Sequence, residues 1–163
     1  MTAPEWTTAD LSDAHGVRLR AAAPVFRSYG GAARFAGEIS TLRVSEDYRP
    51  VLAALAEPGA GRVLVVDGGG SLRRAILGER LLGVAAENGW SGVIVNGAVR
   101  DTALTQGIPV GLRALATVPV RGESGAPTER DVPVEFAGVT FTPGELVWAD
   151  ADGIIVGRAE GAT

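Results

Sequence analysis

Val63-Leu64-Val65-Val66-Asp67 runs into Gly68-Gly69-Gly70, and Val93-Ile94-Val95 runs into Asn96-Gly97. Both are short β-branched apolar runs with a turn signal at the end, the pattern of strands buried on both faces in a parallel sheet. Between them, from Glu79 to Asn88, Leu81, Leu82, Ala85 and Ala86 recur on one helical face, and Asn88-Gly89 supplies a stop. The pieces together predict a parallel strand–helix–strand unit with a right-handed crossover.

Working outward, Thr7 to Val17 predicts a short opening helix, with Leu11, Ala14 and Val17 at helical spacing and Thr8, Asp10, Ser12 and Asp13 as candidate caps. Ile39 to Val44 alternates polar and apolar residues and predicts a strand, and Pro50 to Ala56 predicts a helix stopped by Pro58-Gly59. Downstream, shorter strands are expected at Pro109–Leu112, Thr117–Val120, Val132–Phe136, Val139–Phe141, Gly144–Ala149 and Ile154–Val156. Arg121 to Asp131, with Gly122, Gly125 and Pro127, reads as a polar loop suited to mobility or partner contact. The fold class is α/β, a central parallel unit flanked by antiparallel strands.

With 163 residues, 46% hydrophobic and 21% charged, the chain fits a single domain spanning 1–163. A net charge of −4 offers no basic field to a phosphate backbone, so no direct nucleic-acid partner is expected. No stretch approaches the roughly 20 apolar residues of a membrane span. Met1 to Glu5 lacks a basic region followed by an apolar run, and the expected location is the cytoplasm, away from membranes.

All fifteen basic side chains are Arg, and the chain has neither Lys nor Cys. Schiff-base chemistry and thiolate nucleophiles are thereby excluded. Carbanion chemistry here leans on a metal. His15 is the single histidine, which excludes multi-histidine metal sites. Asp67-Gly68-Gly69-Gly70 lacks the glycine spacing of a dinucleotide loop and the lysine of a phosphate loop. Asp150 and Asp152 have the spacing to chelate a metal, but Ala149-Asp150-Ala151-Asp152-Gly153 before a strand more often marks a turn, and Trp90 and Trp148 read as packing or subunit-contact residues.

The candidate site lies at the ends of the central unit. Gly78 before Glu79 places free backbone amides at a helix start, where a carboxylate is attracted; Gly78, Glu79, Arg80 and Leu81 form that cradle. The alternative is that Gly78 interrupts one longer helix beginning near Ser71, with Glu79 merely solvated. Arg100 offers a planar fork for a substrate carboxylate, and Asp101 a hard oxygen ligand for magnesium or manganese. Adjacent Arg-Asp pairs are also common surface features.

Over roughly residues 7 to 157 the chain resembles the regulator of ribonuclease E activity A (RraA-like) family, which includes the 4-hydroxy-4-methyl-2-oxoglutarate aldolases. The resemblance is carried by Val63–Ala75, Asn88–Asp101 and Gly138–Glu145. It implies a layered β/β/α swivelling-domain fold, assembled as a homotrimer or hexamer. In the aldolase branch an acidic residue, twenty intervening positions and Arg-Asp mark the site, with Glu79 here where Asp is common. The likeness implies that Asp101 ligates a divalent cation (Mg or Mn), Arg100 grips the substrate carboxylate and Glu79 orients a water on the metal. The amides of Gly78, Glu79, Arg80 and Leu81 would cradle the pyruvyl group of a small keto-acid substrate. The expected activity is that of a class II pyruvate aldolase, an oxaloacetate decarboxylase, or both. The other branch of the family implies a non-catalytic regulator that binds and inhibits ribonuclease E.

Overall fold

A computed structural model describes residues 5–158. Helix α1 (Thr8–His15) leads through a single 3₁₀ turn to β1 (Leu19–Ala21), β2 (Arg27–Ser28) and β3 (Phe35–Arg43). Next come α2 (Arg49–Leu55), β4 (Val63–Asp67), α3 (Glu79–Glu87), β5 (Gly92–Val99), α4 (Thr102–Thr105) and β6 (Gly111–Thr117). Five further strands close the chain: β7 (Glu129–Arg130), β8 (Val134–Phe136), β9 (Val139–Phe141), β10 (Leu146–Asp150) and β11 (Gly153–Gly157).

The nine-stranded sheet has the order β1-β11-β10-β3-β4-β5-β6-β2, with β7 also on β3, while β8 and β9 form a separate hairpin. β3, β4, β5 and β6 are mutually parallel, and the remaining pairs are antiparallel. Alternation explains how both faces of this parallel core are covered. Leu64, Val66, Val93 and Val95 point to the helices, where they meet Val51, Leu55, Leu82 and Ala85. Val63, Val65 and Ile94 point the other way, onto Phe136, Phe141, Val147 and Ile154. Helices, sheet and hairpin thus stack in layers, as the resemblance implies.

Phe35 shows how closely β5 and β6 are packed. A Cβ on Gly92 would sit 2.3 Å from its ring, and one on Gly111 1.9 Å, so two glycines make the floor on which the ring lies. The guanidinium of the buried Arg113 stacks over the same ring, 5.2 Å from its centroid.

Several boundaries differ from the sequence expectation. The first helix is capped by Thr7, whose side chain accepts from the amide of Asp10, and none of the four candidate caps does this. β5 does not end at Asn96-Gly97 but bulges there and runs on to Val99. Asn96 sits in the bulge because its side chain donates to the Asp67 carboxylate, 3.0 Å away. Thr117–Val120 is not a strand of its own; β6 ends at Thr117, and Pro119 has no amide to continue the ladder. The Arg121–Asp131 loop is tied down by backbone bonds from Gly122 to Ala75, Tyr48 to Gly122, Ser124 to Glu46 and Asp131 to Thr41. Trp90 and Trp148 are both buried, so each packs inside the fold. No helix among the described residues is long and apolar enough to cross a membrane.

Candidate active site

Residues 71–78 contain no helix, and Gly78 therefore opens α3 instead of interrupting a longer helix. Ala75 bridges in parallel to both Ala98 and Arg121. The Ala75 amide donates to Val120 at 2.7 Å, the Ile76 amide to Ala98 at 3.1 Å and the Arg100 amide to Leu77 at 2.9 Å. Three distant stretches are thus stitched side by side, and the start of α3 comes to lie beside the end of β5.

At that end the chain turns sharply. Asp101 adopts a left-handed conformation, φ 61° and ψ 33°, which Asp tolerates better than most residues. The turn swings its carboxylate back over the start of α3, where Oδ2 accepts the amide of Glu79 at 3.2 Å. Negative charge is favoured there by the unpaired amides and the helix dipole. Only glycine leaves room at position 78, since a Cβ would sit 2.6 Å from Asp101 Oδ2.

Gly78, Arg80, Leu81, Arg100 and Asp101 line one cleft of about 60 Å³, with Tyr48 and Arg121 completing its walls. Among the described residues no acceptor faces the amides of Arg80 and Leu81. The amide of Glu79 is engaged by Asp101, which takes it out of the four-amide cradle expected from the sequence. The Glu79 side chain is exposed and outside the cleft lining. Arg100 donates one N–H to the Pro119 carbonyl at 3.3 Å and is shared between this cleft and a wider hollow of about 790 Å³.

The donor set suits one kind of metal. Among the described residues no three His, Cys, Asp or Glu side chains cluster to form a protein cage. Among the described residues Asp101 Oδ1 has no partner, and one or two carboxylates, waters and substrate oxygens are the usual ligands of magnesium. The residues present fit a hard divalent ion held by Asp101.

The hollow's rim is held by two buried or half-buried acids. Glu46 accepts from Ser71 Oγ and from Arg73, whose hydrogen bond is the main reason its carboxyl lies below the usual range. Asp47 is 2% exposed and accepts from Arg49 Nε and Nη2 and from the amides of Arg49 and Gly125. The Arg49 hydrogen bond leads in drawing its carboxyl from 3.8 down to about 2. A carboxylate with a depressed pKa stabilises the fold fully above its ordinary value, and the contribution fades as pH falls toward the folded-state value. Asp47→Asn is therefore expected to lower unfolding stability by about 1–2 kcal/mol at pH 7, after discounting for the half-exposed Arg49. Urea titrations should show the gap between variant and parent constant above pH 5 and shrinking between about pH 4 and pH 2; a gap independent of pH would contradict this.

Sequence reasoning missed Tyr48, Arg74 and Arg121. Arg74 stands in the tandem Arg73-Arg74 just before the site, and Arg121 opens the glycine-containing loop, but neither has a spacing rule linking it to Arg100. Asp150 serves as a local anchor, accepting from the amide and hydroxyl of Thr8 and the amide of Asp152. His15 is half-exposed at the end of α1, against Arg18.

The RraA-like family, described as Aldolase/RraA, matches residues 8–156 of the chain. The chain belongs to the RraA-like family. Similar proteins include one from Deinococcus radiodurans, 54% identical over 94% of this chain and 95% of that protein, named "Putative 4-hydroxy-4-methyl-2-oxoglutarate aldolase". One of the same name from Laribacter hongkongensis is 49% identical over 93% and 95%. Among solved structures, the RNA-processing inhibitor RraA from Thermus thermophilis superposes with a TM-score of 0.90 at 49% identity, covering 94% of this chain and 93% of that one. A Geobacillus kaustophilus structure titled S-adenosylmethionine:2-dimethylmenaquinone methyltransferase gives 0.92 at 43% identity, covering 97% and 99%. In this RraA-like chain the glycine triplet folds against its own strand ends. The Gly68 and Gly70 amides donate to the Asn96 carbonyl and the Gly69 amide to Asp67 Oδ1, which leaves none of the three for a nucleotide.

Proposed function

We propose that this RraA-like chain is a divalent-metal-dependent lyase that releases pyruvate from 4-hydroxy-4-methyl-2-oxoglutarate-type keto acids, from oxaloacetate by decarboxylation, or from both. The observation that carries the reading is the meeting of the α3 start, Arg100 and Asp101 at one cleft. Relatives at about half identity that are named aldolases support it.

In this reading the Arg100 guanidinium pairs with the carboxylate next to the keto group, in a charge-assisted geometry suited to its planar fork. The amides of Arg80 and Leu81 hold the same end of the substrate at the positive end of α3. Asp101 would hold a magnesium or manganese ion, its carboxylate kept in place by the Glu79 amide on Oδ2. When bound, the ion supplies Lewis-acid polarisation of the keto oxygen, the role that a lysine amine fills in other aldolases. In oxaloacetate the bond between C3 and C4 breaks with loss of C4 as carbon dioxide. In the hydroxy acid the same bond breaks, its electron pair moving toward the keto group and C3 then taking up a proton, while the C4 hydroxyl gives up its proton. Glu79, exposed beside the cleft, is the nearest acid of α3 able to hold a water through which that proton leaves. A family habit of oligomerisation supports a trimer or hexamer in solution.

The test is pyruvate release, followed with lactate dehydrogenase and NADH. Purified protein should act on 4-hydroxy-4-methyl-2-oxoglutarate or oxaloacetate with added Mg or Mn, and a chelator should abolish the rate. Activity unchanged by the chelator would overturn the metal's role, and no pyruvate from either substrate would overturn the lyase.

A second reading is supported by the likeness to the Thermus RNA-processing inhibitor: a surface that binds ribonuclease E and restrains it. Such binding would be indifferent to Asp101→Asn, which separates the two readings in a pull-down with the purified nuclease.

A further inference from the structure

Breaking the bond between C3 and C4 leaves a three-carbon enolate from either substrate, and pyruvate forms only when C3 takes up a proton. The groups placed so far hold that fragment, but none of them supplies the proton. The cleft has a volume of about 60 Å³, room for a few waters or for the fragment itself, so the donor belongs in its wall. Ala75, Leu77, Gly78 and Leu81 bring no side-chain acid to that wall. Arg80, Arg100 and Arg121 bring guanidinium groups, which keep their protons in proteins. Asp101 is an acceptor committed to the ion. The lining residue that remains is Tyr48, whose phenol can both give up a proton and take one back.

We propose that the Tyr48 hydroxyl delivers the proton that C3 takes up. The inference rests on the lyase reading and deepens it. In this step the phenolic O–H bond breaks and the proton goes to C3. The electron pair of the enolate becomes the new C3–H bond while the keto group re-forms, and the phenolate then recovers a proton from water. Run backwards, the same path takes a proton from the methyl group of bound pyruvate.

The surroundings of Tyr48 suit a donor. Its hydroxyl makes no hydrogen bond with the described residues, so its proton is not tied up elsewhere. The ring is half-buried and packs against the core cluster that contains Leu77 and Leu81. Its backbone is pinned on both sides, the amide donating to the Gly122 carbonyl at 3.0 Å and the carbonyl accepting the Leu52 amide at 2.9 Å. The Arg121 guanidinium lies over the ring, 4.9 Å from the centroid, and is itself paired with Glu123. A fixed cation there offsets the negative charge that the ring carries while its proton is away.

The test follows deuterium entering the methyl group of pyruvate, by proton NMR, in heavy water with the full-length protein and magnesium. The parent is expected to catalyse this exchange. Tyr48→Phe keeps the ring beneath Arg121 and is expected to slow the exchange by about a hundredfold or more. Calorimetric titration with oxalate, a planar dianion shaped like the enolate, separates proton delivery from fit: parent and variant should bind it equally and melt at the same temperature. Tyr29→Phe changes the other tyrosine of the chain, which packs against the same core outside the cleft lining, and should leave the exchange as it is. Exchange by Tyr48→Phe at the parental rate would make water the donor and overturn the inference. No exchange by the parent would overturn it too, as would a loss of oxalate binding that matches the loss of exchange. Because exchange starts from pyruvate and breaks no carbon–carbon bond, the two ideas fail separately. A parent whose exchange depends on Tyr48 but which releases no pyruvate from either substrate loses the lyase and keeps the donor. One that releases pyruvate while Tyr48→Phe exchanges as fast as the parent does the reverse.

Discussion

Asp101→Asn is expected to lower kcat/KM for pyruvate release by about a thousandfold or more. The size follows from how little else the substitution changes. Among residues other than glycine, Asn is the one most at ease in the left-handed conformation that position 101 adopts, so the turn between β5 and α4 is kept. Its amide oxygen can still accept the Glu79 N–H now bound by Oδ2, and Gly78 still leaves the space. What disappears is the negative charge and the anionic oxygen that would hold the divalent ion. The thermal midpoint should therefore stay within about 2 °C of the parent. Coupled assays over a range of magnesium concentrations, with melting followed by circular dichroism, measure both halves. A variant with near-parental turnover at saturating magnesium would remove Asp101 from the chemistry.

The largest stability effect is expected at Phe141, whose ring is fully buried between the hairpin and the sheet. It stacks on Phe136 with centroids 4.6 Å apart, and Phe136 meets Phe26 edge-on at 5.8 Å. Phe141→Ala removes the aromatic body and leaves a space that the rigid β4 and β5 strands cannot close, a change of about 3–5 kcal/mol. For a chain of this size the melting temperature should fall by roughly 10 °C, with a matching shift of the urea midpoint at unchanged slope. Since the cleft lies at the start of α3, on the helix side, turnover per folded molecule well below the transition should hold. A shift of less than about 1 kcal/mol would mean that the hairpin contributes little to holding the layers together.

The parallel centre of the fold was legible because its signals are local and repeated. Val63–Val66 and Val93–Val95 are apolar throughout and rich in β-branched residues, and the face of α3 carries its apolar residues at regular spacing. The end of β5 was not legible, because Asn96-Gly97 carries a turn signal that the partner strand overrides: Asp67 takes the Asn96 side chain and turns the would-be stop into a bulge. The cleft was half legible. Glycine before the helix and Arg-Asp after the strand stand out as residue types, and the structure brings Gly78, Arg80, Leu81, Arg100 and Asp101 to one wall. The Asp101 contact with the Glu79 amide could not be read, because it depends on a single left-handed residue. Nor could Tyr48 and Arg121, which reach the cleft only because Ala75 pairs with strands on both sides of it.

The sheet's outermost strands are short: three residues in β1 and two in β2, carrying Arg20 and Arg27. So brief and charged a margin gives an incoming chain almost no ladder to extend, and this protects a β-rich protein from polymerising through its borders. Copies of this chain that associate would then do so through side chains on loops and helix faces, leaving the backbone ribbon of each one closed to its neighbour.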